Sequence, residues 1–178
     1  MRVITGTARG RKLETPENYD IRPTTDMVKE ATFNIVQFDI EGRKVLDLFA
    51  GTGQLGIECL SRGAESAVFV DQSGDAVKIV RDNLKSCGLT GTVIQMDACS
   101  FLRSCGKFDL IFVDPPYDSN LYEEVLEIIN SVDILSDGGI IICEACRNRA
   151  LPEMAEPYRK AREYNYGKVK LCKYVREN

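Results

Sequence analysis

Apolar residues along this chain form short continuous runs that alternate with segments of helical periodicity. The runs predict strands at residues 45–49, 67–70, 92–96, 108–113 and 139–143. The amphipathic segments predict helices at residues 26–38, from the glycine loop to about 62, and at 75–85 and 120–130. Such alternation is typical of a doubly wound, Rossmann-like parallel sheet, so the predicted fold class is α/β.

Both ends of the chain predict hairpins that extend this core. The segments are residues 1–6 and 11–15 around Ala8-Arg9-Gly10, and residues 161–166 and 169–175 around Gly167. The helix at residues 26–38 is expected to bury Phe38 on its apolar face. The chain has 178 residues without a visible repeat or linker. We therefore expect one domain, residues 1–178, in which residues 1–25 form a small N-terminal extension.

The most specific chemistry lies after the strand at residues 108–113, in the turn Asp114-Pro115-Pro116-Tyr117. Reactive groups in open α/β sheets lie just beyond the carboxyl ends of such strands. The prolines lack N–H groups and restrict the residues before them to extended conformations. The turn therefore presents two fixed acceptors, the Asp114 carboxylate and the Pro115 carbonyl, beside the flat ring of Tyr117.

These groups suit a planar, conjugated amine such as the exocyclic NH2 of a base. Such an amine is a weak nucleophile because its lone pair is delocalised into the ring. Two acceptors that hold both N–H groups favour a pyramidal nitrogen and stabilise the positive charge that develops on attack. A simple proline turn at the end of a strand is the alternative interpretation of the same residues.

A second motif joins the strand at residues 45–49 to a glycine loop. Gly51, Gly53 and Gly56 match the G-x-G-x-x-G fingerprint, and Asp71 follows at the end of the next strand. Glycines let a ligand approach the backbone, and a carboxylate at Asp71 accepts from ribose hydroxyls. The motif indicates an adenosine-containing cofactor and does not separate NAD from S-adenosylmethionine (SAM).

The length of the chain favours SAM over NAD. An NAD enzyme also needs a substrate domain and a site for hydride transfer, and 178 residues leave little room for them. SAM carries an activated methyl group and requires only an amine placed in line with it. Together the two motifs predict methyl transfer to an amine.

Several further segments of the sequence resemble those of a known protein family. They are residues 9–13, 22–26, 30–34, 46–53 and 60–64, with Asp71, Asp97 and the turn at residues 114–117. In this order they resemble the RsmD family of bacterial 16S ribosomal RNA guanine-N2 methyltransferases, from the first residue to about Glu144. The segment Arg22-Pro23-Thr24-Thr25-Asp26 is the most discriminating, whereas Met27 and Lys29 stand where the family often carries arginines.

The resemblance implies methylation of a guanine N2 amine in 16S ribosomal RNA, with SAM as methyl donor, S-adenosylhomocysteine as its product and no metal. It also implies an antiparallel strand inserted near the C-terminus, and a segment at residues 22–26 that closes over the cofactor and seats RNA or simply caps a helix. The implied catalytic residues are Asp114, Pro115, Pro116 and Tyr117. The implied cofactor residues are Asp47, Gly51, Gly53, Asp71 for the ribose and Asp97 for the adenine amine. The implied RNA-binding residues are Arg9, Arg11, Lys12 and Arg22.

Charge is distributed unevenly along the chain. The net charge is −4, but residues 1–12 carry four basic side chains and no acidic one, and residues 147–178 carry a net +5. Residues 45–146 carry a net −10. Basic ends around an acidic middle indicate a protein that contacts phosphates with its edges, or one with two solvated basic tails.

Composition limits the remaining possibilities. The sequence has no leading apolar segment and no long apolar span, so we expect a soluble, cytoplasmic protein that does not enter a membrane. The seven cysteines are expected to be free thiols. Cys143-x-x-Cys146 invites a metal or redox interpretation, but no second pair follows and the chain has no histidine, which favours packing and no metal.

The expected partner is 16S RNA within a small-subunit assembly intermediate, and the expected oligomeric state is a monomer. Two alternatives stay open from the sequence. One is an amino-methyltransferase that acts on DNA adenine, transfer RNA or a protein glutamine, although a glutamine-directed enzyme more often has Asn where Asp114 stands. The other is a non-catalytic assembly factor that retains SAM.

Overall fold

The computed structural model describes residues 1–17, 26–116 and 119–178. The helices are α1 (Asp26–Val36), α2 (Gln54–Ser61), α3 (Gly74–Cys87), α4 (Ala98–Leu102) and α5 (Leu121–Val132). The strands are β1 (Lys44–Leu48), β2 (Ser66–Asp71), β3 (Thr92–Gln95), β4 (Phe108–Val113), β5 (Leu135–Cys146), β6 (Tyr158–Tyr166) and β7 (Val169–Arg176).

These strands form one mixed sheet in the order β3-β2-β1-β4-β5-β7-β6. The five strands from β3 to β5 are parallel. Strand β7 lies antiparallel between β5 and β6. The predicted α/β class, with an antiparallel strand inserted near the C-terminus, is therefore confirmed.

Helices on both faces explain why the central strands are so apolar. Leu46 and Leu48 of β1 pack toward α4 and α5, whereas Val45 packs toward α1, α2 and α3. All three residues are fully buried. Each such side chain contributes about 1.5–3 kcal/mol by leaving water. A strand that is buried on both faces must be apolar at consecutive positions, which is the pattern that predicted it.

Helix α1 ends earlier than its periodicity suggested. It stops at Val36, where the N–H of Asp39 donates to the Val36 carbonyl at 2.8 Å in a closing turn. Phe38 lies beyond this end and is 91% exposed, so the expectation that it joins the apolar face is wrong. Because the chain leaves the helix at this turn, the helical spacing that placed Phe38 on the apolar face no longer applies.

The N-terminal extension doubles back on itself but forms less sheet than predicted. A single antiparallel bridge joins Arg2 to Lys12 among the described residues. The N–H groups of Ile4 and Thr5 donate instead to the buried carboxylate of Glu58 on α2, at 2.8 and 2.9 Å. Because these donors bind a helix side chain, they cannot extend a ladder between the two arms.

The short helix α4 was not predicted, because five residues are too few to show a helical period. In the part of the chain that the structure describes, none of the helices combines the length and apolarity needed to cross a membrane.

Candidate active site

The two predicted motifs meet where the chain order of the sheet reverses. Strands β1 and β4 are neighbours, and their last residues, Leu48 and Val113, are register partners. The glycine loop leaves β1 and the Asp114 turn leaves β4 at this same level. Ligands of open α/β sheets bind in the crevice at such a switch point.

The glycine loop adopts conformations that suit glycine. Gly51 and Gly53 have φ values of 57° and 77°, in the left-handed region. Phe49, just before them, also has a positive φ of 64°, which is uncommon for a residue with a side chain. A Cβ at Gly53 would lie 3.1 Å from Val80 and 3.3 Å from Ile57. The loop is thus both turned and closely packed.

Asp71 lies at the end of β2 and supports the loop. One carboxylate oxygen accepts from the N–H of Gly51 at 2.9 Å, and the other accepts from the N–H of Ser73 at 2.9 Å. The side chain is half-buried. A carboxylate has about four lone-pair sites, so two remain for hydroxyl donors such as those of a ribose. Its position fits the role that the sequence suggested.

Asp47 lies beneath the loop. It is 2% exposed, and its Oδ2 accepts from the N–H of Gly56 at 2.9 Å. Burial raises the pKa of this carboxyl group from 3.8 to about 7, against the opposing effect of the Gly56 hydrogen bond. Asp47 therefore holds the start of α2 against β1, and supports the glycine loop from below.

Asp97 follows β3 and caps α4. Its Oδ2 accepts from the N–H and the hydroxyl of Ser100 at 2.9 and 3.0 Å. The preceding residue, Met96, donates its N–H to the Asp71 carbonyl at 3.0 Å, which brings the ends of β2 and β3 together. Asp97 is exposed at the same edge of the sheet as Asp71. The cap orients its carboxylate, and the exposure leaves it accessible.

The turn after β4 is only partly described. Asp114 is half-buried, Pro115 is buried and Pro116 is exposed. The Pro116 carbonyl accepts from the N–H and the hydroxyl of Ser119 at 3.2 and 2.6 Å, which closes the turn before α5. Tyr117 and the predicted RNA contact Arg22 lie outside the described residues.

One residue that sequence reasoning missed links the N-terminal extension to the glycine loop. Asn83 on α3 is fully buried. Its Oδ1 accepts from the N–H of Glu14 at 2.7 Å, and its Nδ2 donates to the carbonyls of Thr52 and Glu14 at 3.0 and 3.2 Å. A polar residue between Val80 and Leu84 on the apolar face of α3 was the available signal.

A second missed contact anchors the extension to α1 and α2. Lys29 lies 3.2 Å from the Glu58 carboxylate, and both side chains are almost fully buried. Lys29 also donates to the Arg2 carbonyl at 2.9 Å. Burial lowers the pKa of Lys29, while Glu58 opposes that shift. Arg62 completes the group at 3.0 Å from Glu58 and lies over the Phe33 ring.

The other predicted RNA contacts lie on the outside of this extension. Arg9, Arg11 and Lys12 are exposed. The loop that carries Arg9 is tied to the C-terminal end of α2, where the N–H of Ala8 donates to the Ser61 hydroxyl at 2.9 Å. Arg9 is thereby held near the C-terminal end of α2, and Lys12 lies in the bridge with Arg2.

The Cys143-x-x-Cys146 pair does not converge. Both residues lie on β5, where a separation of three puts side chains on opposite faces of the sheet. Cys143 is buried as the register partner of Cys172, and all three thiols are free. In the described ranges, no three side chains of the metal-binding types cluster together.

Comparisons with known proteins agree with this architecture. The sequence profile of the family described as "Conserved hypothetical protein 95" matches residues 1–175. Ribosomal RNA small subunit methyltransferase D from Escherichia coli strain K12 is 35% identical over 179 residues, covering 99% of this chain and 90% of that protein.

Solved structures give the same result for the fold. The Escherichia coli protein yhhF superposes with a TM-score of 0.90 at 35% identity, covering 99% of this chain and 98% of that one. A 16S rRNA N2 G1207 methyltransferase (RsmC) from T. thermophilus, solved with AdoMet and guanosine, has a TM-score of 0.72 at 20% identity. The latter match covers 91% of this chain and 45% of that one, and it concerns the fold alone.

The glycine loop, Asp71 and the Asp114 turn thus lie on the fold of SAM-dependent methyltransferases, in a chain that aligns with a curated relative almost from end to end. This chain belongs to the RsmD-like family of methyltransferases.

Proposed function

We propose that this protein transfers a methyl group from SAM to the exocyclic N2 amine of a guanine in 16S ribosomal RNA. The observation that carries the proposal is the meeting of the glycine loop and the Asp114 turn at the ends of the paired strands β1 and β4. One motif suits an adenosine cofactor and the other suits a planar amine. Their adjacency puts donor and acceptor in one crevice.

The cofactor residues fit SAM. We place Gly51 and Gly53 at the methionine end of SAM, and Asp71, which retains lone pairs, at the ribose hydroxyls. In this scheme the exposed Asp97 accepts from the adenine amine. When bound, SAM supplies an electrophilic methyl group and leaves as S-adenosylhomocysteine. No metal has a role in this scheme.

The target residues fit a guanine amine. Asp114 and the Pro115 carbonyl accept the two N–H groups of N2, and Tyr117 stacks on the base. This arrangement turns the nitrogen lone pair toward the methyl group and stabilises the charge that forms on attack. One N2 proton must then leave, and the Asp114 carboxylate is the adjacent acceptor. A paired base cannot reach the turn, so the guanine is unpaired or flipped out.

The relatives support the RNA substrate. The E. coli relative is named a ribosomal RNA small subunit methyltransferase, and the T. thermophilus structure holds AdoMet and guanosine together in the same fold. The exposed Arg9, Arg11 and Lys12 are proposed to contact the RNA, together with Arg22. We propose a single cytoplasmic methyltransferase domain that acts as a monomer, with residues 1–25 as the RNA-contacting extension.

The form of the substrate follows from the charge. A protein of net charge −4 neutralises few phosphates and should bind naked RNA weakly. A shaped, protein-containing particle then supplies specificity by presenting one unpaired guanine. We expect faster methylation of 16S RNA within assembling or complete small subunits than of the same RNA free of protein.

The test uses small subunits and naked 16S RNA from cells that lack this gene. Methyl incorporation is measured with the native protein and with Asp114→Ala as the inactive control, and mass spectrometry of nuclease digests locates the methyl group. Methylated guanine N2 in 16S RNA is expected. A methyl group on adenine, on transfer RNA or on protein would overturn the substrate assignment, and SAM binding without any transfer would favour an assembly factor. Equal or faster reaction of naked RNA would contradict the particle preference.

A further inference from the structure

Strands β5 and β7 extend past the end of β4 and form a wall beside the Asp114 turn. Val113, the last residue of β4, is paired with Cys143, but β5 and β7 remain paired as far as Cys146 and Val169. Three residues of strand span about 10 Å. The wall therefore stands roughly 10 Å above the level of the catalytic turn, on the side away from the glycine loop.

The end of this wall carries two cations in a fixed turn, and we call Arg147, Gly167 and Lys168 the β5–β7 rim. The N–H of Arg147 donates to the Lys168 carbonyl at 2.9 Å, and its guanidinium donates to the Gly167 carbonyl at 3.3 Å. Gly167 has a φ of 57°, which suits the tight reversal between β6 and β7. Arg147 and Lys168 are exposed, so the turn presents two charged heads to solvent.

Neither rim cation has an acidic partner among the described residues, whereas five other cations of the C-terminal region are paired with carboxylates. These pairs are Arg149–Glu123, Arg159–Glu177, Lys160–Glu153, Lys170–Glu163 and Arg176–Asp133. Arg162 and Lys173 also lack an ion pair in the described ranges, but they lie within β6 and β7 rather than at the rim. Within residues 1–17, 26–116 and 119–178, no carboxylate forms an ion pair with Arg147 or Lys168. Their charges remain available to an external anion.

We propose that the β5–β7 rim binds backbone phosphates of the RNA strand that flanks the target base. The inference rests on the proposed function, because it needs a base seated at Asp114. With SAM proposed to bind on the β1 side of β4, we place the strand that carries the base on the β5 side. The wall meets it there, and the paired β5–β7 turn holds the cations in place before RNA arrives. Such contacts position RNA without reading its sequence.

The test compares Arg147→Gln/Lys168→Gln with a matched control, Lys107→Gln/Arg159→Gln. The control removes the same charge at the opposite end of the strands. Lys107 immediately precedes β4, and Arg159 lies near the start of β6. Both of its ion pairs are exposed, so little stability should be lost. Circular dichroism melting checks the fold of each variant.

Methyl transfer to small subunits should show a KM raised on the order of tenfold for the rim variant, with kcat and SAM affinity unchanged. The slope of log KM against log salt concentration should flatten by about 1.4, the value for two phosphate contacts to a single strand. The control should match the native protein in every quantity. Equal KM and slope for the rim variant and the control would overturn the proposal, and so would a loss of SAM affinity.

A binding assay separates this proposal from the proposed function. Fluorescence anisotropy with a single-stranded RNA of about 12 nucleotides measures phosphate contact without turnover. Weaker binding by the rim variant alone supports the rim even if the native protein methylates nothing in 16S RNA. If the native protein methylates 16S RNA but the native protein and the rim variant bind the RNA equally well, the proposed function stands. The proposed phosphate contact of the rim is then wrong.

Discussion

The two sides of the crevice are built differently. On the glycine-loop side, where we propose that SAM binds, Asp47, Asp71 and Asp97 each accept hydrogen bonds from the chain's own backbone, at Gly56, Gly51 and Ser100. On the target side, the β5–β7 rim is exposed and has no carboxylate partner among the described residues. Both sides are ordered by the chain's own hydrogen bonds, but the carboxylates of the first side take part in those bonds, whereas the rim cations are proposed to find their anionic partners in the substrate.

This difference has a physical reason. SAM is small and must be held in one orientation, and a site preorganised by internal hydrogen bonds lowers the cost of binding it. RNA contributes many phosphates, and exposed cations bind them through charge without a matched cavity. Variants on the two sides should therefore separate cofactor affinity from turnover and substrate affinity.

The largest separation is expected for Asp114→Ala. Loss of one amine acceptor should lower kcat by roughly 10²–10⁴-fold, because the charge on the attacking nitrogen is no longer stabilised. SAM affinity, measured by calorimetry, should remain near native. Asp109→Ala is the control, since Asp109 lies near the other end of β4, where its carboxylate accepts from the N–H of Lys44 at 2.8 Å. Native turnover by Asp114→Ala would refute the role of the turn.

Tyr117→Ala extends the same experiment to the base itself. Stacking on an aromatic ring contributes about 1–3 kcal/mol per base, so both RNA affinity and rate should fall. A change confined to SAM affinity would place Tyr117 on the cofactor side instead.

Gly53→Leu should have the next largest effect, on the cofactor side. A side chain there meets Val80 and Ile57 and occupies the space beside the loop backbone, at a φ of 77°. Calorimetry should show loss of SAM binding by a protein that still folds. Gly88→Ala is the control, because Gly88 also has a left-handed φ, of 65°, but a Cβ there contacts nothing within 4 Å.

The native protein provides the corresponding test of cofactor class. It should bind SAM and show no comparable affinity for NADH. Tight NADH binding without SAM binding would contradict the methyltransferase assignment of the loop, and native SAM affinity in Gly53→Leu would contradict its contact with the cofactor.

The last prediction concerns stability rather than binding or turnover, and it is the pH dependence that Asp47 causes. Its folded pKa of about 7 exceeds its ordinary value of 3.8, so between these values the folded protein retains a proton that the unfolded chain has lost. This contribution to stability therefore decreases as pH rises from about 4 to 7, by at most about 1.4 kcal/mol per pH unit, and is constant above that window.

Asp47→Asn should remove this slope, because its amide oxygen can still accept from Gly56 without carrying charge. Urea denaturation between pH 4 and 8 measures the difference. Asp82→Asn, at an exposed carboxylate paired with Lys78, should retain the native slope. Parallel profiles for native protein and Asp47→Asn would show that burial of the carboxyl group does not control stability in this range. Asp133 has the opposite effect on stability, at lower pH. Its hydrogen bond with Arg176 holds the pKa of its carboxyl group below the usual range, so its contribution to stability is lost as the pH falls.

Sequence reasoning succeeded where a feature is local and repeats along the chain. Strand β4 was predicted with its observed bounds, because six consecutive residues carry the signal of a doubly buried strand. The predicted burial of Phe38 was wrong because the turn after Val36 ends the helix, so the helical spacing no longer applies at Phe38. Apolar periodicity does not show where a helix ends.

The contacts that tie the extension to the cofactor loop depend on residues far apart in the chain. Asn83 joins Glu14 to Thr52, across separations of 69 and 31 residues, and no local pattern connects them. Glu58 likewise looks like an ordinary helical glutamate in the sequence, although it is fully buried beneath the N-terminal segment. Its burial becomes visible only when that segment is packed on α2.

The sequence by itself determined most of the strands and longer helices, the fold class and the positions of the two motifs, because backbone preferences and side-chain chemistry are properties of short segments. The tertiary structure alone decided that β5 and β7 rise above the Asp114 turn, and that Arg147 and Lys168 end that wall without acidic partners in the described chain. Strand register and charge pairing join residues distant in sequence. Their outcome is set by packing over the whole sheet, which no single segment contains.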